Sequence, residues 1–263
     1  LFGSVDILVP DYQDFLMRSA FHYLRSYFPT VPVYQLRILM NNTIDLINPE
    51  SIIIKEGEVS DYIYLILSGS VEMIQTKQNI HSHLSAGTII AEIIGINYLR
   101  SSETYRTINY VRALKIHASL YREFVIKNNL YASIESSQDS REFLRKSKLF
   151  GHDISHPIQN RILQNIKKMH ILKGDRFDLD KDDFIYIVKK GELELYKNDK
   201  KISILKHNDF FSGDKKGRYS SDDAYSLNAL TKSEIYTIPY FITSSIPIVN
   251  WKLLESFMKR VVF

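Results

Sequence analysis

The sequence predicts a mainly β chain with flanking helices, in which one β domain is written twice. Two stretches carry this reading. The first runs Ile54-Lys-Glu-Gly57-Glu-Val-Ser-Asp61 into the apolar strand Tyr62-Ile-Tyr-Leu-Ile-Leu, then Ser68-Gly69-Ser70-Val71. The second runs Leu172-Lys-Gly174-Asp-Arg-Phe into Phe184-Ile-Tyr-Ile-Val, then Lys190-Gly191-Glu-Leu. Gly69 and Gly191 lie 191 − 69 = 122 residues apart, and the Ala113-Leu114 and Ala229-Leu230 steps lie 229 − 113 = 116 apart. A period this long indicates duplicated domains rather than a solenoid of small units.

At 263 residues the chain is long enough for two domains, each with its own core. Lys plus Arg exceed Asp plus Glu by 34 − 30 = +4, and the charges are spread along the chain, so no basic stripe suited to a phosphate backbone stands out. There is no Cys, which removes disulfides and thiolate metal sites and fits a reducing compartment such as the cytoplasm. No apolar run reaches the roughly 18 to 20 residues needed to span a bilayer. Neither a nucleic acid nor a membrane is therefore expected as a partner. The chain opens on Leu1 rather than Met, which is compatible with an upstream domain.

In chain order, Phe15, Leu16, Ala20, Tyr23, Leu24 and Phe28 recur at helical spacing after Asp11 and before Pro29, predicting an amphipathic helix. Leu36, Leu39, Met40 and Ile44 predict a second helix over Pro32 to Leu46. From Ile52 the texture turns β-branched and aromatic with Gly-bearing turns, which predicts an antiparallel β block ending near Ile116. Helical periodicity returns over Ser119 to Leu149, with Ser136 to Asp139 as an expected break, and again over Asn160 to Met169. A second β block follows over His170 to Pro239, then a closing helix over Pro247 to Phe263. Only 24 residues follow Pro239, too few for a helix-turn-helix reader of DNA. The domain reading is thus 1–48 helical, 49–146 the first β domain with its exit helix, and 147–263 the second with a C-terminal helix.

The turns Gly57-Glu58-Val-Ser-Asp61 and Leu67-Ser68-Gly69-Ser70-Val71, set in a helix, β block, helix order, resemble the cyclic-nucleotide-binding domain family. The resemblance implies two tandem jelly-roll β domains joined by helices. It also implies a cassette in which a Gly-Glu pair opens a short helix: amides hold the cyclic phosphate, an Arg neutralises it, and the Glu accepts the ribose 2′-hydroxyl. In the first copy the matching stretch is Gly87-Thr-Ile-Ile90-Ala91-Glu92-Ile93, with Glu92 as the ribose acceptor and Ala91 where the family has Gly. Counting back six from Ala113 for the Arg lands on Thr107, with Arg106 one residue early. An odd slip turns a strand side chain to the opposite face, so Arg106 reaches the pocket only through a bulge. The ligand set implied for cAMP or cGMP is therefore Ile90, Ala91, Glu92, Ile93 and Arg106 or Thr107. The ordinary alternative is a helix-start carboxylate and a solvated strand Arg.

In the second copy Asn208-Asp209-Phe210-Phe211-Ser212-Gly213-Asp214 resembles the cassette opening, and six back from Ala229 stands Asp223. The vestigial pocket would be Gly213, Asp214 and Asp223. A carboxylate facing a phosphate repels it, so no cyclic nucleotide is expected here. His81-Ser-His83 lacks the offset Glu of a cupin metal site, and no metal is predicted. No Gly-x-Ser-x-Gly, P-loop, Gly-x-Gly-x-x-Gly or His-Glu-x-x-His occurs, so no catalytic residue is nominated. The basic run Arg141 to Lys148 reads as a wetted helix face, and Tyr236, Tyr240, Phe241 and Trp251 as core and lid. The expected function is a non-enzymatic regulatory module with a cyclic nucleotide, a protein partner or an upstream domain as its counterpart, and with end helices suited to a homodimer. The alternatives are the regulatory portion of a larger enzyme, or degenerate domains serving as a protein-interaction scaffold.

Overall fold

The computed structural model describes residues 9–75, 80–151, 154, 156–179, 183–212 and 224–262. Two compact units divide the chain: Leu1–Gln138 with Ser155–Asn160, and Asp139–Ile154 with Arg161–Phe263.

The first unit begins with α1 (Val9–Tyr27) and α2 (Val33–Met40). Leu16, Ala20, Leu24 and Phe28 recur along one face and are buried with Leu36 and Leu39, whereas Phe15, counted to the same stripe, faces solvent. The second predicted helix stops short. Thr43–Ile47 is a strand, β1, because Thr43 to Ile47 pair residue by residue with Lys115 to Val111. Sheet pairing overrides the weak helical spacing that had drawn Ile44 into the helix.

The barrel follows as β2 (Ile52–Ile54), β3 (Tyr62–Ser68), β4 (Ser70–Gln75), β5 (Ile80–Ser85), β6 (Ile89–Ile90), the short α3 (Glu92–Asn97), β7 (Thr104–Thr107) and β8 (Val111–His117). Two four-stranded antiparallel sheets result, ordered β1-β8-β3-β6 and β2-β7-β4-β5. Gly69 makes the β3–β4 connection at φ +87°, and an added Cβ there would lie 2.3 Å from the Tyr110 carbonyl oxygen. After the barrel come α4 (Ala118–Lys127) and α5 (Tyr131–Lys146). The helical break falls at Asn128-Asn129 and not at 136–139, with Asn129 taking φ +53° between the helices. Asn adopts that left-handed geometry more readily than other side chains, which makes it the natural stop.

The second unit contains the C-terminal part of α5, the C-terminal half of α6 (His156–Asn165), and a second barrel. Its strands are β9 (Lys167–Ile171), β10 (Arg176–Asp178), β11 (Phe184–Lys190), β12 (Leu193–Lys197), β13 (Lys200–Leu205), β14 (Phe210–Ser212), β15 (Tyr225–Ala229) and β16 (Ser233–Pro239). The predicted helix over Asn160 to Met169 therefore gives way to β9 at Lys167, where the chain pairs with β16. The sheets run β14-β11-β16-β9 and β10-β15-β12-β13, the first barrel's order repeated strand for strand. α7 (Tyr240–Thr243), α8 (Pro247–Phe257) and a π-helical turn over Met258–Val262 close the unit. Tyr236 is buried, but Phe241 and Trp251 lie on the surface, so the late aromatics are not all packing residues. Arg141, in the run read as wetted, is buried as well.

Candidate functional site

The short helix α3 opens directly after β6, and Ala91 is its N-cap at φ 64°, ψ 19°. That left-handed conformation is one an L-residue with a Cβ adopts at a cost of roughly 1 to 2 kcal/mol. The backbone thus keeps the shape a Gly would hold without strain, while the methyl stays in place. Ile90 and Ala91 face the barrel interior in one apolar cluster with Ile54, Val71, Met73 and Tyr105; Ile93 turns to the helical core instead.

Glu92 is 4% exposed. Tyr121 of α4 donates its hydroxyl to Glu92 Oε1 at 2.5 Å, and Gln138 of α5 donates its amide to Oε2 at 3.0 Å. Burial, and then the neighbouring Glu92 charge, push the Tyr121 hydroxyl well above its ordinary range, so it remains a donor. The carboxylate that opens the cassette is thereby bonded to both helices that leave the barrel. Sequence periodicity placed Tyr121 in a helical stretch and Gln138 in an expected break, and revealed neither role; α5 instead runs unbroken through Gln138.

Arg106 points the other way. β7 pairs with β4 without a shift, Thr104 to Thr107 opposite Ile74 to Val71, and the irregularity of the neighbouring pairing lies between Ile52 and Ile54 of β2. No bulge on β7 absorbs the extra residue. The Arg106 guanidinium lies on the outer face, 2.7 Å from Glu72 and 3.4 Å from Glu50, and Glu72 is bonded in turn by His81 at 2.8 Å. Thr107 does face inward and is fully buried. Its hydroxyl donates to the Asn48 carbonyl at 2.6 Å and accepts the Ser51 amide at 2.8 Å.

The strand registers also revise where an Arg should stand. Val71 lies opposite Thr107 as Leu193 lies opposite Ala229, and Ile66 lies opposite Ala113 as Val188 lies opposite Ile235. Thr107 and Ala229 are therefore equivalent, 229 − 107 = 122 apart, like the two glycines. The Ala-Leu steps at 113 and 229 belong to different strands. Matching them misplaces the first copy by six residues, an even slip that keeps every side chain on its face and is invisible to alternation. Six back from Thr107 is Ser101. It is 3% exposed, donates its hydroxyl to the Glu103 carbonyl at 2.6 Å, and sits between the Gly57 amide and the Glu58 carbonyl. Its neighbour Arg100 is turned outward onto the Gly57 carbonyl at 2.9 Å.

A family model described as the cyclic nucleotide-binding domain matches residues 46–128. These residues belong to the cyclic nucleotide-binding domain family. The chain as a whole shares the tandem fold of a structure described as cAMP-bound PfPKA-R, with a TM-score of 0.53 at 13% identity over 95% of this chain and 91% of that one. It is similar in the same way to the regulatory subunit of a cAMP-independent protein kinase A from Trypanosoma brucei, with a TM-score of 0.53 at 13% identity over 93% and 92% of the two chains. No curated protein matches the sequence. Tested against the ligand of a cyclic nucleotide-binding domain, the first copy supplies the Glu but places a methyl at Ala91 and a hydroxyl at Ser101, where the family has Gly and Arg.

In the second copy Gly213, Asp214 and Asp223 lie outside the described residues. Phe211, Tyr225 and Leu227 face the interior of that barrel. Among the described residues no group of three or more His, Cys, Asp or Glu could hold a metal ion, and no helix is long and apolar enough to cross a membrane.

Proposed function

We propose that the chain is a non-enzymatic regulatory module in which the first cyclic nucleotide-binding domain holds its exit helices through Glu92, without a cyclic nucleotide, and the second copy takes none either. What it regulates is a further domain or a protein partner. The observation that carries this reading is the engagement of both Glu92 oxygens by Tyr121 and Gln138. In the family that carboxylate serves the ribose, and the ligand draws the following helix over the pocket. Here donors from the two following helices already occupy it, so the state a ligand would have to select is held by side chains. The fold itself leaves the ligand open, since one of its structural relatives is described as cAMP-bound and another as belonging to a cAMP-independent kinase. The side chains of the cassette weigh toward the second kind of behaviour.

Thermal unfolding of the full chain with cAMP or cGMP tests this. Nucleotide at about 100 times its dissociation constant stabilises a binding protein by roughly 2.7 kcal/mol. No shift is expected with either nucleotide at millimolar concentration. The Ala91→Gly/Ser101→Arg chain, which restores both missing features, is expected to respond to at least one of them. A clear rise in Tm of the unaltered chain would reject the reading.

A further inference from the structure

The C-terminal turn of the second unit is seated on the strand that leads into that copy's cassette. Phe257, at the end of α8, is 5% exposed and lies between an inward ring of β14 and one of β15. Its ring stacks on Phe211 at a centroid distance of 6.3 Å and 25° and meets Tyr225 edge-on at 6.1 Å, while Phe211 and Tyr225 are 5.3 Å apart. Three residues on, Arg260 donates to the Phe210 carbonyl at 2.5 Å and to the Ser256 hydroxyl at 2.6 Å, and lies 3.7 Å from Asp209. Among the described residues β14 is an edge strand whose outward carbonyls have no ladder partner, and a guanidinium can fill that position. Aromatic and cationic contacts thus converge on one short segment.

We propose that the second copy has a binding slot of its own between β14 and β15, that the slot takes an aromatic side chain followed three residues later by an Arg on a helical turn, and that Phe257 and Arg260 are its built-in occupant. The slot selects this chemistry by two means. The Phe211 and Tyr225 rings offer one face and one edge to a third ring, the geometry aromatic groups prefer. The Phe210 carbonyl accepts from a planar cation placed one helical turn beyond that ring, and the Asp209 carboxylate lies 3.7 Å away as its counter-charge. An occupant supplied by the same chain keeps α8 docked and excludes outside ligands from the slot. The inference does not rest on the Glu92 contacts, which belong to the other unit.

The test uses the full chain and a labelled peptide spanning Pro247 to Val262. In the Phe257→Ala/Arg260→Ala chain the slot is emptied, so the wild-type peptide is expected to bind it, and a peptide carrying Phe257→Ala is expected to bind at least tenfold more weakly. The unaltered chain is expected to leave the peptide free. Trp251 is the only tryptophan of the chain and rides on α8, so its fluorescence anisotropy should fall in the variant and report release of the helix. The milder Phe257→Leu/Arg260→Gln chain carries the same measurements should the Ala pair unfold. Failure of the peptide to bind either folded variant, or equal binding to the unaltered chain, would overturn the proposal.

Discussion

Gly69 and Gly191 hold the same place in the two barrels, and each is confined by its surroundings as well as by its dihedral angle. Their φ values are +87° and +94°, and a Cβ would meet the Tyr110 carbonyl oxygen at 2.3 Å in the first and the Ser233 hydroxyl at 2.2 Å in the second. Neither an Ala side chain nor its preferred backbone fits without a shift of the facing strand connection. Gly69→Ala or Gly191→Ala is therefore expected to cost about 2 to 4 kcal/mol, the range of a strained backbone combined with local overpacking. Urea unfolding of each variant checks this, and a midpoint unchanged from that of the parent would show the turn to be tolerant. Ala91 presents the reverse case: the residue carries a Cβ where the geometry favours none.

At the scale of elements, α4 and α5 are joined to α3 by one carboxylate. Tyr121 reaches Glu92 because the helix returns its buried face every three to four residues, bringing Tyr121, Phe124 and Val125 onto one side. Gln138 reaches it because α5 continues through the Ser136 to Asp139 stretch instead of breaking there. Removing the phenol hydroxyl leaves a buried carboxylate oxygen short of a donor. Tyr121→Phe is expected to destabilise by about 1.5 to 3 kcal/mol, the range for hydrogen bonds to charged groups. Hydrogen exchange should show the loss first in α4 and α5, since these helices lose their tie to the cassette. An effect confined to the barrel strands would contradict the latch.

Across the whole molecule, the outer sheet face of each copy carries a carboxylate held in its charged form. In the second copy Lys201, Asn228 and Tyr196 hold Glu194 at about 2 against an ordinary value of 4.5. The equivalent Glu72, 194 − 72 = 122 residues earlier, is also lowered, first by His81 and then by Arg106. Because the folded values lie below the unfolded ones, the unfolded chain binds more protons as the pH falls. The stabilisation is complete above the ordinary carboxylate range and is lost between about pH 4.5 and 2 for Glu194. An acid titration followed by circular dichroism should therefore shift toward lower pH dependence in Glu194→Gln. An identical acid transition in that variant would assign the sensitivity to other groups.

The duplicated β fold was readable without coordinates, because alternation, β-branched runs and the paired glycines Gly69 and Gly191 are local signals that each copy repeats. The presence of Glu92 after Ala91 was equally legible. Periodicity could not show that Thr43 to Ile47 is a strand, since its partner lies at 111–115 and only pairing decides it. Nor could it separate Thr107 from Ala113 as the equivalent of Ala229: inside and outside alternate every residue, so a six-residue displacement leaves the pattern unchanged. Strand register resolves that choice, moves the cation position from Thr107 to Ser101, and turns Arg106 out to Glu72. The sequence by itself determined which fold was built twice and which residues make its turns, for those depend on neighbours along the chain. The tertiary structure alone decided that the Glu92 carboxylate belongs to Tyr121 and Gln138, because such a bond depends on residues 29 and 46 positions away meeting in one buried place.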